Sequence, residues 1–165
     1  MLLDARSRST MQPRIERISF APIERGIDPP WFAECCKIRR IVFVEEQSVP
    51  AELEWDGLDE IAEHFIALTH PGPDERARGT ARMRVIGSTA QAERVAVLES
   101  ARHLGLGRLL MEAIESRARN RALSRICLNA QVAAVPFYER LGYRSEGDEF
   151  IEAGIKHRAM SKDLD

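Results

Sequence analysis

Apolar residues recur along the chain at two spacings, and the changes between them mark the elements. Leu106, Leu109, Leu110, Ala113 and Ile114 fall at i, i+3, i+4, i+7 and i+8. This predicts a helix over 106–120, with an apolar side on a sheet and an arginine-rich side in water. Residues 14–20 alternate as a first strand, and Asp28-Pro29-Pro30 supplies a helix-start signal for a helix over 31–44. Residues 62–68 and 79–86 read as neighbouring strands joined by the turn His70-Pro71-Gly72-Pro73, and a further strand covers 93–97. A strand over 125–129, a helix carrying Phe137-Tyr138, and strands about 144–150 and 156–162 close the chain. This order predicts an α/β protein of α+β type: a central mixed, mostly antiparallel sheet flanked by helices on both faces. Residues 1–13, rich in Arg and Ser, read as a flexible leader, and 14–165 as a single domain.

The most informative stretch joins strand Val95-Ala96-Val97 to the turn Arg102-His103-Leu104-Gly105-Leu106-Gly107, with Arg108 next. Helix-start N–H groups have no intrahelical partners, the dipole adds positive charge, and Gly105 and Gly107 let an anion approach the backbone. Arg102 and Arg108 add charge-assisted contacts. A nucleotide P-loop would need Gly-Lys-Ser/Thr, but Gly107 precedes Arg108-Leu109-Leu110. A dinucleotide fingerprint would need a third small residue near Leu110, and it is absent too. The bland alternative is loop punctuation by two glycines.

Composition narrows the class. The chain has 165 residues and a formal net charge of -2, so neither bulk attraction to nucleic acid nor disorder is implied. No apolar run is long enough to span a bilayer and the start lacks a signal-peptide core, which reads as cytoplasmic with no membrane partner. Cys35, Cys36 and Cys127 make no evident disulfide framework, and His64, His70, His103 and His157 are scattered, so no metal is expected. Charge is uneven: no Lys or Arg occurs between Arg40 and Arg76, while Glu45, Glu46, Glu52, Glu54, Asp56, Asp59, Glu60, Glu63, Asp74 and Glu75 do. That segment is either a negative surface favouring a cationic acceptor or an ordinary solvated acidic face.

The turn Arg102–Gly107 after an apolar strand resembles the Arg/Gln-x-x-Gly-x-Gly/Ala signature of the GCN5-related N-acetyltransferases (GNAT). Phe137-Tyr138-Glu139-Arg140-Leu141-Gly142-Tyr143 resembles that family's second signature. Arg39-Arg40-Ile41-Val42-Phe43-Val44-Glu45-Glu46-Gln47, the segment Glu54-Trp55-Asp56-Gly57-Leu58-Asp59, Ala62-Glu63-His64 and Gly154-Ile155-Lys156-His157-Arg158-Ala159-Met160 are similar to the ElaA/YjcF-like subgroup. The resemblance covers nearly everything from Arg14 onward. It implies the GNAT fold and an acetyl-CoA-dependent N-acetyltransferase acting on a primary amine, small molecule or peptide, by direct attack in a ternary complex. It further implies a turn 102–108 that holds the pyrophosphate and a strand amide near Val97, beside Val95 and Ala96, that polarises the thioester carbonyl. Asn129 is implied on the pantetheine amides, Tyr138 as general acid, and assembly as a homodimer. His103 stands where glycine is common and Glu99 where proline is common.

The chemistry sets its own demands. A lysine-like amine with pKa ~10.4 must lose a proton before attacking, directly or through water. Glu46, His64 and His157 are the candidate bases. Glu46 has the alternative of pairing with Arg39 or Arg40, and each His that of a hydrogen-bonded structural residue. A phenol of pKa ~10 protonating a thiolate of pKa ~8.5 is uphill by about 2 kcal/mol, so Tyr138 acts mainly by hydrogen bonding unless its pKa falls. Two rivals stay open. An acyl-homoserine-lactone synthase shares the fold and an Arg40–Phe43 plus Glu54–Asp59 pattern, although the intact pyrophosphate turn argues against it. A non-catalytic acyl-CoA sensor is the other, and Tyr138 argues against that.

Overall fold

A computed structural model of the protein describes residues 13–19, 31–69 and 75–165. Asp28-Pro29-Pro30, the turn His70–Pro73 and all of the expected leader except Pro13 lie outside the described residues. Seven strands form one sheet: β1 (Arg14–Ser19), β2 (Glu63–Thr69), β3 (Arg76–Ile86), β4 (Thr89–Val97), β5 (Arg125–Gln131), β6 (Arg144–Glu152) and β7 (Ile155–Asp163), in spatial order β1-β2-β3-β4-β5-β7-β6. Among the described residues, only the β4–β5 pair is parallel. The sheet is therefore mixed and mostly antiparallel, as the pattern of elements predicts.

Side-chain alternation sorts the two faces. Phe65, Ala67, Ala81, Met83, Ala90, Ala92, Ile126 and Leu128 point to the face covered by α3 (Leu106–Asn120), where Leu106, Leu110, Met111 and Ile114 complete the main core. Ile66 and Leu68 point the other way, onto Cys35 of α1 (Phe32–Arg39). With α1 on one side and α3 on the other, every residue of β2 is buried. The helix predicted over 106–120 forms over those residues, but its buried side is turned toward Met111, Glu115 and Ala118, leaving Leu109 and Ala113 part-buried at its edge.

Three features differ from the periodicity. The helix expected over 31–44 is α-helical only to Arg39 and continues as a seven-residue π-helix, Arg40–Glu46. β4 begins at Thr89, immediately after a two-residue turn that makes β3 and β4 a hairpin. β4 also carries a bulge, where the register to β3 shifts between Thr80↔Ala96 and Arg82↔Glu93 and Arg94 adopts φ +54°. Among the described residues, no helix is long and apolar enough to cross a membrane.

Candidate active site

The sheet opens at β4 and β5. Their parallel pairing runs from Thr89↔Arg125 to Ala92↔Leu128 and stops, although β4 pairs with β3 as far as Val97 and β5 with β7 as far as Gln131↔His157. Past Ala92, no strand among the described residues pairs with the edge of β4 that faces β5, an edge whose backbone groups can meet a bound molecule. The opening is a cleft of about 630 Å³. Its lining brings together Val95, Ala96 and Val97 of β4, Asn129 of β5, Arg102, Glu46, His157 and Tyr138 of α4 (Val135–Arg140). These are eight of the residues expected at the site, drawn from segments about 110 positions apart.

The turn after β4 is a 3-10 helix, Glu99–Leu104, closed by Gly105 at φ +73°, which caps α3. That left-handed conformation costs a side-chain-bearing residue about 1 kcal/mol or more, so Gly105 fits the bend. Gly107 has a different reason. A Cβ there would sit 3.2 Å from Cζ of Phe137, so the missing side chain lets α3 and α4 pack, a requirement separate from the expected approach of an anion. His103, Leu104 and Gly105 are exposed on the turn, and Leu106 points into the core. None of the residues from His103 to Arg108 lines the cleft itself. Arg108 pairs with Glu112 one helical turn on. Arg102 folds back, donating from Nε to the Val97 carbonyl at 3.1 Å and pairing through its guanidinium with Glu46 at 2.5 Å.

The three candidate bases separate by position. His64 lies outside the cleft lining and is fully buried, with Nε2 3.0 Å from the Asp59 carbonyl and its ring edge-on to Phe32. Burial pushes its pKa below the usual imidazole range. His64 is thus placed apart from the cleft that the other two candidates line. His157 lies in the cleft, stacked on Phe150, with Nδ1 2.8 Å from the Ile155 carbonyl. A carbonyl only accepts, so Nδ1 carries the proton and Nε2 of the neutral ring keeps its lone pair. Nε2 is 3.9 Å from a Glu152 carboxylate oxygen. Glu46 also lines the cleft, held by Arg102 and not by Arg39 or Arg40.

The acidic stretch is not a free negative surface. Arg39, 1% exposed, pairs with Glu54 at 2.5 Å and Asp59 at 2.8 Å. Arg82, equally buried, reaches Asp56 at 2.7 Å, Asp59 at 3.0 Å and Glu93 at 2.7 Å. Arg94, at the bulge, pairs with Glu54 at 2.9 Å and Asp56 at 3.2 Å, and Arg84 pairs with Glu93. Four arginines thus offset four carboxylates. The hydrogen bonds from Arg82 hold Asp56 well below the ordinary carboxylate range. Burial opposes ionisation of Asp59, but its bonds from Arg39 and Arg82 outweigh burial and lower its pKa as well. Glu63 is held in the same way by Arg117 and Arg121. Sequence reasoning missed this network because every arginine in it comes from outside the acidic run.

Tyr138 is 8% exposed, edge-on to Phe137 and Tyr143, and burial pushes its phenol up to about 12. It stays neutral and able to donate a hydrogen bond. Gln47 and Gln131, not singled out from the sequence, also line the cleft, joined by Gln131 Nε2 donating to Gln47 Oε1 at 2.7 Å. Among the described residues, no group of three His, Cys, Asp or Glu side chains is placed to hold a metal.

A sheet splayed beside a bulged strand, with a glycine-capped helix start at its end, defines an acyl-CoA N-acyltransferase. A family model described as an acetyltransferase (GNAT) domain matches residues 42–164, and the chain belongs to that family; it is an N-acetyltransferase. The chain is 42% identical over 127 residues to the uncharacterized N-acetyltransferase YjcF of Bacillus subtilis (strain 168), which covers 76% of this chain and 88% of that protein. Among solved structures, an acyl-CoA N-acyltransferase from Pseudomonas aeruginosa superposes with a TM-score of 0.74 at 25% identity, covering 90% of this chain and 99% of the other. ElaA of Escherichia coli shares the fold, with a TM-score of 0.75 at 20% identity over 92% of this chain and 99% of its own. An acyl-CoA thioester and an acceptor are therefore the substrates.

Proposed function

We propose that the protein transfers the acetyl group of acetyl-CoA to a primary amine, on a small molecule or as a lysine or N-terminal amine, by direct attack in a ternary complex. The supporting observation is the meeting of β4's unpaired edge, the Tyr138 phenol and the open Nε2 of His157 in one cleft. The pyrophosphate is assigned to the turn 102–108 at the start of α3, where backbone N–H groups and the dipole favour an anion. The pantetheine is assigned to the gap between β4 and β5, beside Asn129.

His157 is the base in this reading. Its Nε2 takes the ammonium proton, helped by the Glu152 carboxylate beside it. The amine nitrogen then forms a bond to the acetyl carbon while backbone N–H groups of Val95–Val97 meet the developing oxyanion. The carbon–sulfur bond breaks, and the thiolate accepts a hydrogen bond from Tyr138. Full proton transfer from a phenol at about 12 to a thiolate whose thiol has pKa ~8.5 is uphill by about 5 kcal/mol, so Tyr138 is a hydrogen-bond donor; the second N–H proton, lost as the amide forms, passes to solvent, and solvent protonates the thiolate. The acceptor meets few unpaired charges, because Glu54, Asp56 and Glu93 are held by arginines. Within the acidic run, Glu54 and Asp56 are therefore not free to select a cation. The chain is assigned to the cytoplasm.

The test is a screen of small amines and lysine peptides with acetyl-CoA, read by the mass of acetylated product and by thiol release. Amine-dependent product confirms the reading. Tight coenzyme A binding with no product from any amine would mark a sensor instead.

A further inference from the structure

We propose that Glu46 is the carboxylate that anchors the acceptor's ammonium group, and that the donor's pyrophosphate exposes it by drawing Arg102 away. This rests on the reading of the cleft as an acetyl-CoA-dependent N-acetyltransferase.

The π-helix supplies the geometry. Its wider turn ends at Glu46, with Gln47 as the next residue, and these two reach in different directions across the opening. Glu46 takes Arg102, on the turn that follows β4, while Gln47 takes Gln131, at the end of β5. The π-helix end therefore straps both sides of the splayed strands. The two contacts differ in what donor binding does to them. Arg102 lies in the turn assigned to the pyrophosphate, so its guanidinium faces a choice between one carboxylate and a group with two phosphates. The Glu46–Arg102 pair is part-exposed, 33% and 44%, and pairs of that kind are weak. The Gln47–Gln131 bond involves no charge and stays, keeping Glu46 at the cleft once Arg102 has left.

Among the described residues, no other carboxylate lining the cleft is placed to do the same. Glu54 and Asp56 are held by the buried Arg39 and Arg82 together with Arg94, and Glu93 by Arg82 and Arg84. Glu152 stands beside His157, where the proton goes. Glu46 lines the cleft, and its partner belongs to the donor. Occupying the phosphate turn converts a neutral Glu46–Arg102 pair into a single negative charge facing the acceptor. An amine arriving first would find that charge already taken.

The prediction has opposite signs for the two substrates. Glu46→Gln frees Arg102 and so tightens coenzyme A, read by calorimetry, by about threefold. With the best amine of the screen above, the same variant raises the amine's KM about tenfold or more. Arg102→Gln weakens coenzyme A, and in that background Glu46→Gln no longer tightens it. A residue that only shapes the cleft would move both substrates the same way. Unchanged or weaker coenzyme A binding by Glu46→Gln overturns the proposal, as does tightening that persists without Arg102. If the unaltered protein fails to bind coenzyme A, the N-acetyltransferase reading itself falls, which keeps the two failures distinct.

Discussion

The two walls of the cleft are built by different forces. On the side assigned above to the donor the structure is backbone: the unpaired edge of β4 lines the cleft, and a left-handed glycine and the first turn of α3 follow just beyond the lining. The acceptor wall is side chain: four arginines from α1, β3 and β4 hold Glu54, Asp56 and Asp59 of the segment after the π-helix, and Glu93 of β4. A backbone site accepts any side chains that preserve the bend, so it suits a donor shared by a whole family. A wall of paired charges depends on each partner, and a change at one residue alters its shape.

The largest effect expected from breaking this contrast is at Arg82. Arg82→Leu leaves Asp56, Asp59 and Glu93 without their shared buried cation and destabilises the fold by about 3–5 kcal/mol in denaturant titration. A loss below 1 kcal/mol would mean that the network contributes little. Next is Tyr138→Phe, which removes a hydrogen bond to the developing thiolate. It lowers kcat roughly tenfold to a hundredfold with KM for acetyl-CoA held, and an unchanged kcat would remove Tyr138 from the mechanism. The smallest is a pH dependence carried by three of this wall's four carboxylates, burial pushing the fourth, Glu54, the other way. Asp56, Asp59 and Glu93 have folded pKa values below their unfolded ones. The unfolded chain binds more protons in acid, so their stabilisation is full above the ordinary carboxylate range. It is lost as pH falls below about 4. Thermal unfolding across pH 2–7 checks this, and Arg82→Leu should flatten the profile.

The same contrast explains what could be read from the sequence. The helix over 106–120 and the glycine turn are written in neighbouring residues, because apolar spacing and a glycine at a left-handed position are local requirements. The π-helix spans only seven residues, too few for its wider turn to show in the apolar spacing, so its departure after Arg39 is not marked in the sequence. The β4 bulge is hidden because its left-handed residue is Arg94, not a glycine. Its conformation is held by ion pairs to Glu54 and Asp56, about 40 positions earlier. The acidic stretch looked unopposed for the same reason. Pairings of this kind depend on the sheet order, which brings Arg82 opposite Glu93 and beneath Asp56 and Asp59. His64 and His157 were equivalent as letters. Only the fold buries one against α1 and leaves the other in the cleft.

The central claim is that donor binding belongs to the turn and proton removal to His157 of β7. Steady-state kinetics on Gly105→Ala and His157→Gln, varying acetyl-CoA and the amine separately, tests it most directly. Gly105→Ala, which strains a backbone at φ +73°, should raise KM for acetyl-CoA and leave kcat near that of the unaltered enzyme. His157→Gln should lower kcat about a hundredfold or more while coenzyme A binds as before. Equal changes toward both substrates in both variants would contradict the division.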